Sequence, residues 1–587
     1  MQIKSRSEAN NPSLSELHPV LARVLANRGV ADKHDTDYLL KNLLPPQGLS
    51  HIGAAAELLS EAVTAQANIV IVGDFDADGA TSCALAVSCL RAFGLPAEQV
   101  SYLVPNRFEY GYGLSPEIVG MAAIRQPDII ITVDNGISSV SGVHAAQALG
   151  ITVLVTDHHL PGEELPTADV IVNPNLDNDS FKSKNLAGVG VIFYVMLAVR
   201  ARLRQMRWFD QPEVAEPNMS QFLDLVALGT VADVVPLDYN NRILVQQGLQ
   251  RIRQGLACPG IEALLTVAKR DPARAVASDM GFAVGPRLNA AGRLDDMSIG
   301  IECLLSSNFE QAMILATQLD DLNKERRQLE QSMQDDALNE VQKLDIDEQH
   351  SPAAMVLSDP SWHQGVVGLV ASRLKERLNR PVVALAPGDK DSEWKGSCRS
   401  VEGVHIRDIL ARVDALYPRL MTKFGGHAMA AGLSLANENL DRFKKVFVEV
   451  TQQMTDGKDW QQILWTDGEL QAPDFNIELA ELLSQSNPWG QAFSEPLFEG
   501  RFRVLETRVV GEKHLKMKVL PECGKAQNIS NNGIDAICFF YFDRNSDLPG
   551  SSIYMAYQLS VNEFRNKQSL QIMVRHLECL EVSDQHS

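Results

Sequence analysis

Three aspartates at every second position, Asp74, Asp76 and Asp78, follow the apolar run Ile69-Val-Ile-Val-Gly73. In an extended chain that alternation projects all three to one side, at the end of a strand too apolar to be anything but buried. Carboxylates at this density repel one another unless a cation sits among them, so the spacing points to coordination of a divalent metal. Three more apolar runs lead into candidate ligands. Ile129-Ile-Ile-Thr-Val133 runs into Asp134-Asn-Gly136, Val153-Leu-Val-Thr156 into Asp157-His158-His159, and Leu223 to Thr230, read as a fourth strand, into Val231-Ala-Asp233. Taken singly, an Asp after a strand is more often a turn former or helix cap, and a His-His pair is as often a polar surface element. Four such endings after four apolar runs favour one shared site. Aspartates with one or two histidines suit Mn²⁺ or Mg²⁺ better than structural Zn²⁺.

Such a site requires the strands to share a sheet. From about residue 51 to 240, short apolar runs alternate with amphipathic segments, among them a helix over Ala80–Phe93, a strand over Ser101–Val104, a helix near Ser141–Leu149 and a strand over Val170–Val172. That rhythm is βαβ, which predicts a mostly parallel sheet with helices on both faces and ligands at the carboxyl ends of its strands. Residues 1–50 read as a helical lead-in with nothing chemical in it, one helix over His18–Asn27 and a second around Asp35–Leu43, ended by Pro45-Pro46. Later, Gly285-Pro-Arg-Leu-Asn-Ala-Ala-Gly-Arg293 holds two arginines in a Gly/Ala-rich setting. The guanidinium fork matches phosphate oxygens, which makes Arg287 and Arg293 candidate phosphate contacts, with ordinary ion pairing as the alternative.

From about Asn308 to Leu344 apolar residues recur three to four apart without Pro or Gly. A helix of about 37 residues reaches roughly 55 Å and would act as a strut between domains. A dimeric coiled coil is the alternative, against which Arg326 interrupts the stripe. Residues 351–455 read as a second α/β domain, with strands Ala353–Leu357 and Val382–Ala386 and three glycine-rich pieces: Trp362–Gly368 opening a helix, Gly396–Ser400, and a loop Gly425–Gly432. Glycines let backbone N–H groups approach a phosphate, and a helix N-terminus favours anions. Residues 456–587 read as a small barrel of strands Arg501–Leu505, Leu515–Leu520, Ile534–Phe542, Ile553–Leu559 and Leu570–Val574. Arg501, Arg503, Arg508, Lys513, Lys516 and Lys518 make it locally basic, as in barrels that bind single strands. Phe502, Phe539, Phe540 and Tyr541 are available to stack on bases, but they fall in apolar runs, which places most of them in the core.

At 587 residues the chain exceeds one compact core, and about three or four domains are expected. Lys and Arg number 53 against 74 Asp and Glu, a formal charge of −21, which argues against a surface that grips nucleic acid as a whole but leaves room for a local basic channel. The eight cysteines form no CxxC pair, as reduced thiols in a cytoplasmic protein would. No apolar run approaches the length of a membrane span.

Asp74-Phe-Asp-Ala-Asp-Gly79, Asp134-Asn-Gly136, Asp157-His-His159 and Gly229-Thr-Val-Ala-Asp233 resemble motifs I to IV of the DHH phosphoesterase superfamily. Gly425-Gly-His-Ala-Met-Ala-Ala-Gly432 resembles the signature of its DHHA1 partner domain. Within the superfamily the similarity is to the bacterial RecJ type of single-strand-specific exonuclease, over nearly the whole chain. The resemblance implies an α/β multidomain fold: lead-in 1–50, parallel-sheet DHH domain 51–300, connecting helix 301–350, DHHA1 α/β domain 351–455 and OB-like β-barrel 456–587. It implies two divalent ions, Mn²⁺ or Mg²⁺, and 5′→3′ hydrolysis of single-stranded DNA to 5′-mononucleotides in recombination, repair and mismatch repair. Carried over by position, Asp134 bridges the ions, Asp76 serves one, and Asp78, His158 and Asp233 serve the other. Asp74 and Asp157 support them, and His159 meets the scissile phosphate or a proton in transit.

A second group resembles the end-recognition elements of that type. Arg107 would bind phosphate, Tyr112 would stack on a terminal base, and Ser397 and Arg399 would receive the 5′ end. His363, Gly426 and His427, as DHHA1 motif residues, would hold the strand opposite the metals. For Tyr112 a glycine-linked turn packed on the core is the alternative. By the same resemblance the partners are single-stranded DNA, a single-strand-binding protein and repair helicases; the strut helix leaves the oligomeric state open, with a monomer favoured. Two other readings remain beside it: a small-substrate phosphoesterase acting on pyrophosphate or short or cyclic oligonucleotides, against which the basic barrel speaks, and a catalytically dead strand-binding protein.

Overall fold

The computed structural model describes residues 1–6, 11–105, 113–343, 352–388, 392–458, 460–523, 533–543, 547–564 and 567–580. Arg107 and Tyr112 lie outside the described residues.

The chain opens with β1 (Gln2–Ser5) and α1 (Pro19–Ala26). Asp35–Leu43 is not the single helix expected. Two 3₁₀ turns, Lys33–Thr36 and Leu40–Asn42, flank an extended Asp37. Asp32 accepts from the N–H groups of His34 and Asp35, a local bond that competes with helix, and the buried Tyr38 hydroxyl donates to Asn487 at 2.6 Å.

After α2 (Ile52–Ala65), the first α/β unit alternates as the apolar runs require: β2 (Ile69–Gly73), α3 (Ala77–Ala92), β3 (Val100–Leu103), α4 (Pro116–Ala123), β4 (Ile129–Val133), α5 (Val140–Ala148), β5 (Thr152–Thr156) and β6 (Val170–Val172). All five strands are parallel, in the order β3-β2-β4-β5-β6. Every residue of β2 and β4 is buried, which is why these strands read as continuous aliphatic runs rather than alternating ones. Ile69, Ile71 and Ile131 pack on the face covered by α3, while Val70, Val72 and Ile130 pack under α4 and α5.

The remainder of this unit is helical: α6 (Gly188–Gln205), α7 (Leu223–Ala232), α8 (Tyr239–Arg253), α9 (Pro259–Val267), the short α10 (Ala277–Asp279), a π-helical turn (Met280–Val284), α11 (Gly285–Leu294) and α12 (Ser298–Leu305). Helix α7 overturns the expected fourth strand. Leu223 to Thr230 are all buried, and a helix buried on every side is apolar on every side, so its sequence lacks the period that would distinguish it from a buried strand.

The strut is α13 (Phe309–Lys343), 35 residues and about 52 Å long. Ala312, Ala316 and Leu319 join the core of the first unit, whereas Met333 and Ala337 join that of the second. Arg326 interrupts the stripe because the junction is polar there: it bonds to Glu330 at 2.9 Å, and Glu330 also accepts from Arg373 at 3.2 Å. The second unit comprises β7 (Met355–Ser358), α14 (Val367–Leu378), β8 (Val382–Pro387), β9 (Glu393–Arg399), α15 (Ile406–Leu416), β10 (Lys423–Gly426), β11 (Ala430–Ala436) and α16 (Leu440–Met454). Its sheet runs β10-β11-β9-β8-β7, with β7 and β8 parallel and the other pairs antiparallel. Gly425–Gly432, expected as a loop, is a hairpin in which Gly425 pairs with Gly432.

The last unit holds β12 (Ile463–Thr466), α17 (Ile477–Gln485) and a closed barrel of β13 (Phe498–Val510), β14 (His514–Pro521), β15 (Ile534–Cys538), β16 (Ser552–Phe564) and β17 (Lys567–Cys579), in the order β13-β14-β15-β17-β16. Phe502 and Tyr541 are core, but Phe539 and Phe540 are 48% and 56% exposed. Strand β15 ends at Cys538, so these two fall in the turn beyond it rather than on the inner face. Among the described residues no helix is long and apolar enough to cross a membrane.

The lead-in, read as inert, holds the barrel in place. Strand β1 pairs in parallel with β12. The fully buried carboxylate of Asp467 accepts from Arg28 at 2.8 and 2.9 Å, from Asn27 at 3.1 Å and from the Leu497 N–H at 3.1 Å. Burial alone would raise the pKa of Asp467, but the Arg28 hydrogen bonds and charge outweigh it and hold the carboxyl below its usual range. Breaking such a pair from one side is expected to cost about 3–5 kcal/mol, so Asp467→Ala should unfold earlier in a denaturant titration. Because the folded pKa is depressed, the wild-type advantage is present above about pH 4 and lost as acid protonates Asp467, so the gap between the two proteins should close below that pH.

Candidate functional site

Strands β2, β4 and β5 end side by side, and the C-terminus of α7 reaches the same point. Asp74, Asp78, Asp134 and Asp157 are buried there. Asp76 caps α3, accepting from the N–H groups of Asp78 and Gly79 at 2.9 and 3.0 Å. Asp78 is the second residue of the same helix, and its two oxygens accept from the amides of Gly188 at 2.6 Å and Val189 at 2.9 Å, the first residues of α6. A helix N-terminus favours an anion at that position. Gly188 admits nothing larger: a Cβ there would stand 2.5 Å from the Cβ of Asp134. Asp134 itself has φ 60°, a left-handed backbone rare for a side-chain-bearing residue and typical of functional turns. Next to it the Asn135 amide donates to Val72 and Val133 carbonyls, tying the ends of β2 and β4 together.

Asp157 organises the histidines. It accepts from the N–H groups of Ile137, His158 and His159 and from Nδ1 of His159 at 2.8 Å. Burial opposes the charge on both partners, yet these bonds outweigh it, lowering the pKa of Asp157 and raising that of His159. Burial and then the charge of His159 push His158 the other way, down to about 4, so its imidazole is neutral at neutral pH. Asn173 and Asn175 donate to the carbonyls of His159 and His158 at 2.9 and 2.6 Å. Sequence reading missed both asparagines, although they follow β6 as the other site residues follow their strands. It also missed Asn289, whose side-chain oxygen accepts from the Ala77 N–H at 2.7 Å and props the Asp76–Asp78 turn.

Ligand atoms of Asp74, Asp76 and Asp134 lie within 4.8 Å of one another, as do those of Asp78, His158 and Asp233, and those of Asp134, His158 and His159. Nε2 of His158 is 3.1 Å from Asp134 Oδ1 and 3.4 Å from Asp233 Oδ2, yet it is buried without a hydrogen-bond partner among the described residues. Burial, then mutual repulsion led by Asp78, raises Asp134 and Asp233 well above the usual carboxylate range, and burial with Asp76 raises Asp78. Packed acids and a neutral imidazole aimed at common points are the donor set of hard divalent cations, which relieve that repulsion. Asp233 arrives from the end of a helix rather than a strand.

The second unit carries a cleft of about 500 Å³ lined by Ser397 and Arg399, with Lys395 and Lys423, which sequence reading did not single out, and Arg293 joins it from the first unit. Arg293 donates to the Gly365 carbonyl at 3.1 Å, and Arg399 to Ser397 and Ser372 hydroxyls at 2.9 and 3.1 Å. His363 Nδ1 accepts from the Gly365 N–H, and Gly426 takes φ 140° in the β10–β11 hairpin. His427 is exposed, and after burial the largest influence lowering its pKa is the charge of His159, which sets the hairpin over the centre. Arg287 is not there. It is buried, bonded to Asp320 at 2.7 Å and to the Ala283 carbonyl at 2.6 Å, where it fastens α11 to α13 and has no phosphate to meet.

Residues 68–230 match the family model described as DHH family, N-terminal domain, residues 351–453 match that of the DHHA1 domain, and residues 466–576 match that of the RecJ OB domain. The chain is 51% identical to the single-stranded-DNA-specific exonuclease RecJ of Dickeya dadantii, covering 98% of this chain and 99% of that protein. It is 50% identical to the Escherichia coli protein of the same name, with the same coverage. The crystal structure of RecJ in complex with Mn²⁺ from Thermus thermophilus superposes with a TM-score of 0.79 at 28% identity, over 99% of this chain and 79% of that one. A RecJ structure with Mg²⁺ from the same organism gives 0.74 at 27%, over 99% and 78%. With three units in the same order and relatives matched from end to end, the chain belongs to the RecJ family of DHH proteins.

Proposed function

We propose that this protein is a metal-dependent exonuclease that hydrolyses single-stranded DNA from its 5′ end to 5′-mononucleotides, in recombination and repair. The observation that carries the reading is the carboxylate–imidazole centre, in a chain that also holds the basic cleft of Arg293, Ser397 and Arg399. Mn²⁺ or Mg²⁺ would be held by Asp76, Asp78, Asp134, His158 and Asp233, with Asp134 shared between two ions and Asp74 within reach of one. Bound there, such ions stabilise negative charge on phosphoryl oxygens and make water nucleophilic at neutral pH.

The chain's own groups supply the rest. Asp157 fixes Nδ1 of His159, which leaves the other ring nitrogen directed away from the carboxylate to donate to a phosphate oxygen or to the departing 3′ oxygen. His158 stays neutral and so retains a lone pair for coordination. The amides of α6 donate to Asp78 and offset part of the burial and repulsion that raise its pKa. In the basic cleft, Arg399 and Arg293 match a terminal phosphate, which a single strand can present there. The apolar stripe of α13 is covered within the chain, which supports a monomer. A strand-binding protein or helicase delivering the substrate belongs to the same reading.

Asp134→Ala should lower the rate on 5′-phosphorylated single-stranded DNA more than the roughly 10–100-fold typical of a supporting residue, with strand binding retained, and EDTA should abolish cleavage by the wild type. On a strand labelled at its 3′ end, polarity from the 5′ end predicts progressive shortening and no cleavage of a blunt duplex; immediate release of a labelled mononucleotide would reverse it. Arg399→Ala should raise KM about 10-fold or more for a 5′-phosphorylated strand and little for a 5′-hydroxyl one.

A further inference from the structure

Two exposed aromatic side chains, Phe282 and Phe540, line a second cleft, of about 690 Å³, that opens between α11, α13, α14 and the barrel. Phe282 is 79% exposed and Phe540 56%. Single exposed apolar residues are ordinary on a surface, so exposure alone assigns nothing. What sets these two apart is the backbone that presents them. Phe282 occupies the middle of the π-helical turn Met280–Val284, whose Met280, Ala283 and Val284 are buried. A π turn is rare and unfavourable relative to α-helix, and here it extrudes one phenyl ring while its neighbours stay packed. Phe540 has φ 55°, again left-handed, with its N–H donating to Nδ1 of His514 at 3.0 Å and its ring edge-on to that imidazole at 4.9 Å. Each ring is carried outward by an uncommon backbone conformation, of the kind that clusters at functional sites.

The walls between the rings are basic in a chain of net charge −21. Arg327 of α13, Arg377 of α14 and Lys513 of the barrel line the cleft from three sides. Of the acids there, Glu330 is engaged by Arg326 and Arg373, Glu376 by Arg373, and Asp335 accepts from Gln331, against six arginines and lysines in the lining. Cations and exposed aromatic faces lining one groove are the chemistry that binds an unpaired nucleic-acid strand irrespective of sequence. The cleft also adjoins the basic one. Arg293 lines both this cleft and the basic one, and Asn289, which props the Asp76–Asp78 turn, lines it too. Seven residues separate Phe282 from Asn289, roughly 10 Å along a helix, or about three nucleotides at 3.4 Å each.

We propose that Phe282, with Phe540 in the same cleft, is a base-stacking residue that grips the strand a few nucleotides downstream of the scissile bond and so sets the length of strand the enzyme needs for tight binding. The inference rests on the exonuclease reading, and the test separates the two. In the full chain with Mn²⁺, Phe282→Ala and Phe540→Ala are compared with the wild type on a 5′-phosphorylated oligothymidylate of 20 residues and on the 5′-phosphorylated dinucleotide; binding of a fluorescent 20-mer in EDTA is measured in parallel. Each variant is expected to raise KM and weaken binding of the 20-mer about tenfold, with dinucleotide hydrolysis as in the wild type and Phe282→Trp restoring the 20-mer values. Unchanged 20-mer KM and binding in both alanine variants would overturn the proposal. So would an equal loss on the dinucleotide, or full retention of 20-mer binding by Phe282→Leu, which keeps bulk without a π face. A wild type that cuts neither substrate while the variants still bind the 20-mer more weakly would defeat the exonuclease reading and keep the stacking site.

Discussion

Mutual repulsion among buried carboxylates is the constraint on which the structure turns. Asp74, Asp78 and Asp134 are almost inaccessible, Asp76 and Asp233 lie against them, and each raises the free energy of ionising the next. A fold that collects such charges must hold them by something other than their preference for the site. Here two devices within the chain do so. The first turn of α6 gives both its leading amides to Asp78, and the caps made by Asp76 and Asp157 convert their carboxylates into acceptors for the very turns that place them. The centre is therefore preorganised, and a metal entering it meets ligands already in position.

The same demand explains why small residues cluster around the site. Gly188 lies against Asp134, and Gly229 lies so close to Thr81 and Asp78 that a Cβ there would stand 2.3 Å from the Thr81 hydroxyl. Helices α3, α6 and α7 can converge on one point only if their contact residues lack side chains. Larger-scale placement falls to α13, which shares its apolar stripe between two cores and changes to a polar junction at Arg326, Glu330 and Arg373 where they meet. Arg287, buried against Asp320, fastens the strut to the helix that props the Asp76–Asp78 turn. The separation between the centre and the basic cleft is thus set by a rigid element rather than by a loop.

Much of this was legible in the residues. The strand-end aspartates and histidines, the parallel sheet, the strut and the barrel follow from aliphatic runs, from period and from turn residues, all local signals. What was not legible has a common cause: it depends on contacts between distant segments. Nothing in Leu223 to Thr230 distinguishes a helix buried all round from a buried strand. Nothing in Arg287 reveals that Asp320, 33 residues on, will claim it. The pairing of β1 with β12 joins residues more than 450 positions apart, so a lead-in with no chemistry of its own becomes the anchor of the barrel. Phe539 and Phe540 were read as core because the strand was extended across a turn that sequence did not mark.

A net charge of −21 is a poor start for an enzyme whose proposed substrate is a polyanion, and the resolution lies in range. Under physiological salt, fields decay over about 8 Å, so acids elsewhere on the surface do not reach a strand seated in a cleft. Affinity then has to come from contacts made at close quarters: arginines and lysines gathered from α13, α14, β9 and the barrel, and aromatic faces that do not depend on charge. Such contacts are available only to a strand whose bases are unpaired and free to stack. Weak long-range attraction and strong short-range stacking together disfavour a duplex, whose bases are already stacked on one another, which gives an energetic reason for single-strand preference.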